Sequence, residues 1–134
     1  MFSAMLLTIS TVALSQFALY YWRAVLAGVA AQPVSDRVLA AAQVENGQLT
    51  PQHFRTLAGL HALTPDLQPH RGGLLLVRLY YSVIEGLDAI LGRQLPALAA
   101  WSERERVICV RYAAVQVDRR LQANLDLAAS LRSC

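Results

Sequence analysis

AMLLTISTVALSQFALYYW, Ala4 to Trp22, carries no ionisable side chain apart from two tyrosines, and Arg23 closes it. At about 1.5 Å of rise per residue these positions form a helix roughly 28 Å long, close to the ~30 Å hydrocarbon thickness of a bilayer. The remainder of the chain carries charge too often to supply a second membrane core. The stretch predicts an N-terminal transmembrane helix, and the residues after Arg23 are read as the part that helix anchors.

The end of the run supports an anchor. Tyr20, Tyr21 and Trp22 are amphipathic aromatics of the kind that sit at headgroup level, and Arg23 can snorkel beside them. These four are the expected membrane-interface residues. A cleavable signal peptide needs a basic start, an apolar run of about 7–15 residues and a small-residue cleavage site. No Lys or Arg precedes Arg23 and the apolar run is too long, although Val29-Ala30-Ala31 fits a cleavage pattern. The alternative to an anchor is an extracytoplasmic helical protein, processed after Ala31, that binds a small apolar ligand or a partner protein. Arg23 and Arg37 flank the C-terminal side of the run, against only the terminal amine on the other side. The positive-inside tendency then places the soluble part in the cytoplasm.

Within the anchor, Ala4, Thr8, Thr11, Ser15 and Ala18 recur at intervals of four and three, so small side chains share one stripe. Leu6, Ile9, Leu14 and Leu19 lie mostly off it. Such a stripe lets a second backbone approach closely, and Thr or Ser can hydrogen-bond across the contact. Gln16 points the same way, because a lone amide in lipid is costly. The stripe reads as a packing face for another membrane helix, from a second copy or from a subunit of a membrane complex.

Of the 134 residues, about 100 remain after the anchor, enough for one small domain with a modest core. Residues 1–31 are read as the anchor and its juxtamembrane extension, and residues 32–134 as a small helical domain. Gln32-Pro33 ends the first helix. Ser35 caps a helix with Asp36 in its first turn and Gly47 as its stop, and Thr50-Pro51 opens another through about His61. Pro65, Pro69, Gly72 and Gly73 mark a linker over about 62–73. In Leu74 to Leu91, Leu74, Val77, Tyr81, Ile84, Leu87 and Leu91 share one face while Arg78, Ser82 and Glu85 share another, the pattern of an amphipathic core helix.

From Ala97 to about Leu131 there is no proline or glycine. Val107, Val110, Ala114, Val117, Leu121, Asn124, Ala128 and Leu131 form a heptad-like seam, widened by Trp101, Ile108, Tyr112 and Val115. The wide face favours packing on the helix at Leu74 to Leu91, and Val110, Val117 and Leu121 are the expected contacts for a partner chain. Glu103-Arg104-Glu105-Arg106 and Asp118-Arg119-Arg120 read as solvated charge-paired faces.

Chemistry-bearing patterns are sparse. All 12 cations are Arg, interleaved with 9 acids for a net charge of +3, so no basic stripe for nucleic acid forms. Cys109 and Cys134 stand far apart with no CxxC, which specifies neither a disulfide framework nor a zinc site. His53 and His61 lack the four-residue spacing of helical metal ligands, and His70 stands alone. Glu85 and Asp88 are too few to define a cation site. No phosphate loop, nucleophile elbow or dinucleotide fingerprint occurs. The expectation is an all-α, single-pass, non-catalytic interaction or accessory subunit, with no cofactor, no metal and no nucleic acid, whose partners are the lipid bilayer and either its own copies or a larger membrane complex.

Overall fold

The computed structural model describes residues 1–65 and 73–134. Most of the expected linker, and His70, lie outside the described residues. The order is α1 (Phe2–Ala30), α2 (Asp36–Ala41), a 3-10 turn (Glu45–Gly47), α3 (His53–Leu63), α4 (Gly73–Leu91) and α5 (Pro96–Arg132), with no strand among the described residues. The fold is all-α, with a long apolar helix at the start and a longer helix at the end that packs on the others.

The punctuation residues account for most boundaries. α1 runs until Gln32-Pro33 removes the helical option, and α5 starts with Pro96 in its first turn after an extended Leu95. α2 departs from expectation. It stops at Ala41, well before Gly47, because Gln43 takes a left-handed conformation with φ 57°. The Gln43 N–H then donates to Ala40 O at 3.0 Å, and Val44 N–H donates to Leu39 O at 3.0 Å, the paired bonds of a Schellman cap. Ser35 stands at the N-cap with an extended backbone, but its hydroxyl donates to the Asp118 carboxylate instead of capping α2.

α5 is the axis of the bundle, touched by α1, α2, α3 and α4. Its middle is buried around most of the circumference: Cys109, Val110, Tyr112, Ala113, Ala114, Val115 and Val117 all lie in the interior, and Arg111 among them is exposed. Burial this wide is what a helix enclosed by several neighbours shows. Val110 and Val117, expected against a partner chain, therefore sit in the chain's own core, and Leu121 packs half-buried at its edge. α4 buries Leu74, Val77, Tyr81 and Ile84 as its spacing requires, but Leu87 stays exposed. The next inward position after Ile84 is taken by Asp88, which is clasped by residues of α5.

The expected boundary at residue 31 is not the physical one. Leu26 and Ala30 are core residues and Trp22 and Val29 pack against the core, so the last two turns of α1 belong to the bundle.

Candidate functional site

Every residue from Met1 to Tyr21 is exposed, and α1 is the one helix among the described residues long and apolar enough to cross a membrane. The face carrying Ala4, Thr8, Thr11, Ser15 and Ala18 is open along its length. Its hydroxyls are turned inward on their own helix. Thr8 donates to Ala4 O at 2.8 Å, Thr11 to Leu7 O at 2.7 Å and Ser15 to Thr11 O at 2.7 Å. Each hydroxyl proton is satisfied within the helix, which suits a low-water surrounding and leaves the oxygen lone pairs as the group available to a neighbour.

Where α1 meets the bundle, a buried carboxylate fastens it. Glu105 is 2 % exposed. One of its oxygens accepts from Arg23 at 2.5 Å and the other from the Tyr80 hydroxyl at 2.9 Å, which joins α1, α4 and α5 at one point. Burial first, and then the hydrogen bond and charge of Glu105, raise the Tyr80 phenol well above its ordinary range. Arg23, expected to snorkel free at the membrane interface, is thus held by an ion pair while Tyr20 and Tyr21 stay exposed and Trp22 turns partly into the core.

A second clasp closes α4 on α5. Asp88 accepts from the Ser102 hydroxyl at 2.9 Å and from Arg106 at 3.0 Å, and Arg106 also reaches Glu103 at 3.1 Å. Farther along α5, Arg119 donates to Gln32 at 2.7 Å, Arg120 to His61 O at 3.0 Å and Asn124 to Pro65 O at 3.2 Å. Glu105 and Asp118 are buried and Arg106 is largely so; these three were expected on solvated faces. Their burial is tolerable because each has a partner on another element.

The remaining candidate groups are dispersed. Cys109 lies in the core, where desolvation, with the nearby charge of Glu105, pushes its thiol up to about 12. His53 faces Thr50, whose N–H donates to its Nδ1 at 3.1 Å. Glu85 lies 3.9 Å from Arg55 and Asp88 is held as described, so the two carboxylates are directed at different partners. No group of three or more His, Cys, Asp or Glu gathers among the described residues.

Two surfaces escaped the spacing argument. Between α3 and α4 lies an open groove of about 380 Å³, bounded by Ala58, Gly59 and Ala62 on one side and Arg78, Ser82 and Glu85 on the other. Phe54 and Tyr81 meet at its base with ring centroids 4.1 Å apart. In addition, α4 carries a second apolar row of Leu75, Leu79, Val83 and Ile90, all exposed. A one-face template absorbs Leu74, Val77, Tyr81 and Ile84 and leaves this row unread; its own i, i+4 spacing was the available signal.

No family model matches the chain, and neither a curated protein nor a solved structure shows significant similarity to it.

Proposed function

We propose that the protein is a non-catalytic, single-pass membrane subunit that assembles, through α1, with its own copies or with a larger membrane complex. The observation that carries this reading is the uncovered length of α1: every residue from Met1 to Tyr21 is exposed, and the hydroxyls of Thr8, Thr11 and Ser15 are bonded within the helix. A helix of this kind finds its apolar surroundings in lipid, and its small-residue stripe gives a neighbouring helix the closest approach.

The bundle's dependence on α1 argues against processing after Ala31. Cleavage there would strip Leu26 and Ala30 from the core and leave Glu105 without Arg23. Arg23 and Arg37 lie close on the bundle side of the span, which under the positive-inside tendency favours a cytoplasmic bundle.

The test is the mass of the protein extracted in mild detergent, combined with disulfide formation between single cysteines placed along α1 in a Cys134→Ser background. An oligomer or complex should be found, with crosslinks at Ala4, Thr8, Thr11, Ser15 and Ala18 and none at Leu6, Ile9 or Leu14. A monomer that purifies alone, without periodic crosslinks, overturns the reading.

A further inference from the structure

We propose that the corner between α4 and α5, from Leu87 to Leu98, is sunk into the bilayer interface beside α1, so that the bundle rests on the membrane instead of hanging from it. The proposal rests on the reading of α1 as a membrane span. Its own support is the direction of the helices, the composition of the corner and the state of its backbone.

Arg23 meets Glu105, Ser35 meets Asp118 and Gln32 meets Arg119, so the chain leaving α1 ascends in step with α5. Descending from that level, Phe2 lies 21 residues before Arg23, about 31 Å along a helix, and Pro96 lies 9 residues before Glu105, about 13 Å. α4 runs the opposite way, because Tyr80 meets Glu105 while Asp88 meets Ser102. The C-terminal end of α4, the turn and the first turns of α5 therefore all lie on the side from which α1 emerges. Trp22 precedes Arg23 by one residue and Trp101 precedes Glu105 by four, which sets both indoles within about one helical turn of a common level, with Tyr20 and Tyr21 alongside. If that level is the aromatic collar of the interface, the corner reaches roughly 10 Å beyond it, the depth that interfacial elements occupy.

The composition matches that depth. Between Asp88 and Trp101 the one ionisable side chain is Arg93, which is exposed and long enough to snorkel. The Asp88 charge is turned inward to Ser102 and Arg106 and is not presented outward. Ile90 and Leu95 are instead 72 % and 52 % exposed. Most of the turn's backbone N–H groups are satisfied locally. Gly92 N–H donates to Asp88 O at 2.8 Å, Gln94 and Leu95 both donate to Leu91 O at 3.0 Å, and Pro96 has no N–H to satisfy.

The test uses the full chain in phospholipid vesicles containing a fraction of anionic lipid, with Cys134→Ser as background and an environment-sensitive fluorophore on one introduced cysteine at a time. Ile90→Cys and Leu95→Cys report the corner, Ser15→Cys the span, and Leu131→Cys the far end of α5. The expected result is a blue-shifted probe at 90 and 95, quenched by lipids labelled at shallow depth, and quenched several-fold less by aqueous iodide than the probe at 131. If the probes at 90 and 95 are as open to iodide as that at 131 while 15 is protected, the corner is not in lipid and the span stands. Protection from iodide without quenching by labelled lipid means protein covers the corner, which also overturns the proposal. A probe at 15 that is itself open to iodide removes the span, and the proposal with it.

Discussion

Glu105 and Cys109, one turn apart on α5, carry the clearest consequences of single residues. Arg23 is half-exposed while Glu105 is buried, so the pair matters mainly because it keeps a carboxylate from standing unpaired in the interior. Arg23→Ala should lower stability by roughly 1–3 kcal/mol, and adding Glu105→Gln should recover part of that loss, because the orphaned charge is gone. Thermal unfolding followed by circular dichroism in mild detergent measures both; equal stability of the single and double variants would refute the assignment. The Cys109 thiol gives a pH dependence with a definite sign. Its ordinary value is 9.0 and the fold raises it to about 12, so below pH 9 the thiol is neutral in both states and has no effect. Above that, the unfolded chain gives up the proton and the folded chain keeps it, so stability falls by roughly 1.4 kcal/mol per pH unit until the folded thiol also ionises. Tyr80, raised above its ordinary 10.0, adds to the decline at the upper end. Denaturant midpoints should be flat with respect to these groups below pH 9 and decrease above it, with a shallower slope above pH 10 in Tyr80→Phe; midpoints that stay level to pH 11 would contradict the burial of both groups. The buried thiol was legible from its apolar neighbours Val107, Ile108 and Val110. Glu105 was not, because a charge-rich tetrapeptide reads as solvated unless its partners are known, and those partners lie on α1 and α4.

At the level of elements, breakers in the sequence located the helices and the packing decided their ends. Pro33 and Pro96 mark real boundaries because proline removes a donor and fixes φ whatever surrounds it. Gly47 did not mark the end of α2, since the Schellman bonds close around Gln43, where the fold forces a left-handed backbone on a residue that rarely takes it. Gln43→Gly should therefore stabilise the protein by roughly 0.5–1 kcal/mol, seen as a higher unfolding temperature, whereas an unchanged or lower temperature would mean the cap is not strained. α1 shows the same division between local signal and tertiary outcome. Composition gives one apolar helix, but the surrounding elements split it into an uncovered outer part and an inner part in the core. A chain lacking residues 1–20 should keep its helical circular dichroism and cooperative melt, while one lacking residues 1–31 should lose cooperativity. Leu26→Ala tests the inner part in the full chain with an expected loss of about 2–5 kcal/mol. α5 completes the lesson: its length was legible from the absence of breakers, but a seam template could not reveal burial around most of its circumference, because that depends on helices arriving from four other places in the chain.

For the molecule as a whole, the arrangement gathers the point where α1 leaves the bundle, the aromatic side chains and the α4–α5 corner on one side, and it leaves Cys134 exposed at the far end of α5. That thiol reports the side of the membrane on which the bundle lies without any substitution, since Cys109 is sealed in the core. A membrane-impermeant maleimide applied to intact cells should leave the protein unlabelled, and labelling should appear once the membrane is opened. Ser3→Cys in a Cys134→Ser background should behave oppositely, because Ser3 lies beyond the other end of the span and is exposed. The pair of measurements separates three arrangements by pattern. Cys134 protected with Ser3→Cys labelled fixes a cytoplasmic bundle on a spanning α1; the reverse pattern keeps the span and inverts it. Cys134 labelled from outside on a mature chain that has lost residue 3 would establish processing, and it would require the bundle to hold together without Leu26, Ala30 and Arg23. The packing of Leu26 and Ala30 in the core and the Arg23–Glu105 ion pair make that outcome the one the fold opposes, and Arg23 and Arg37, close on the bundle side of α1, make the cytoplasmic pattern the expected one.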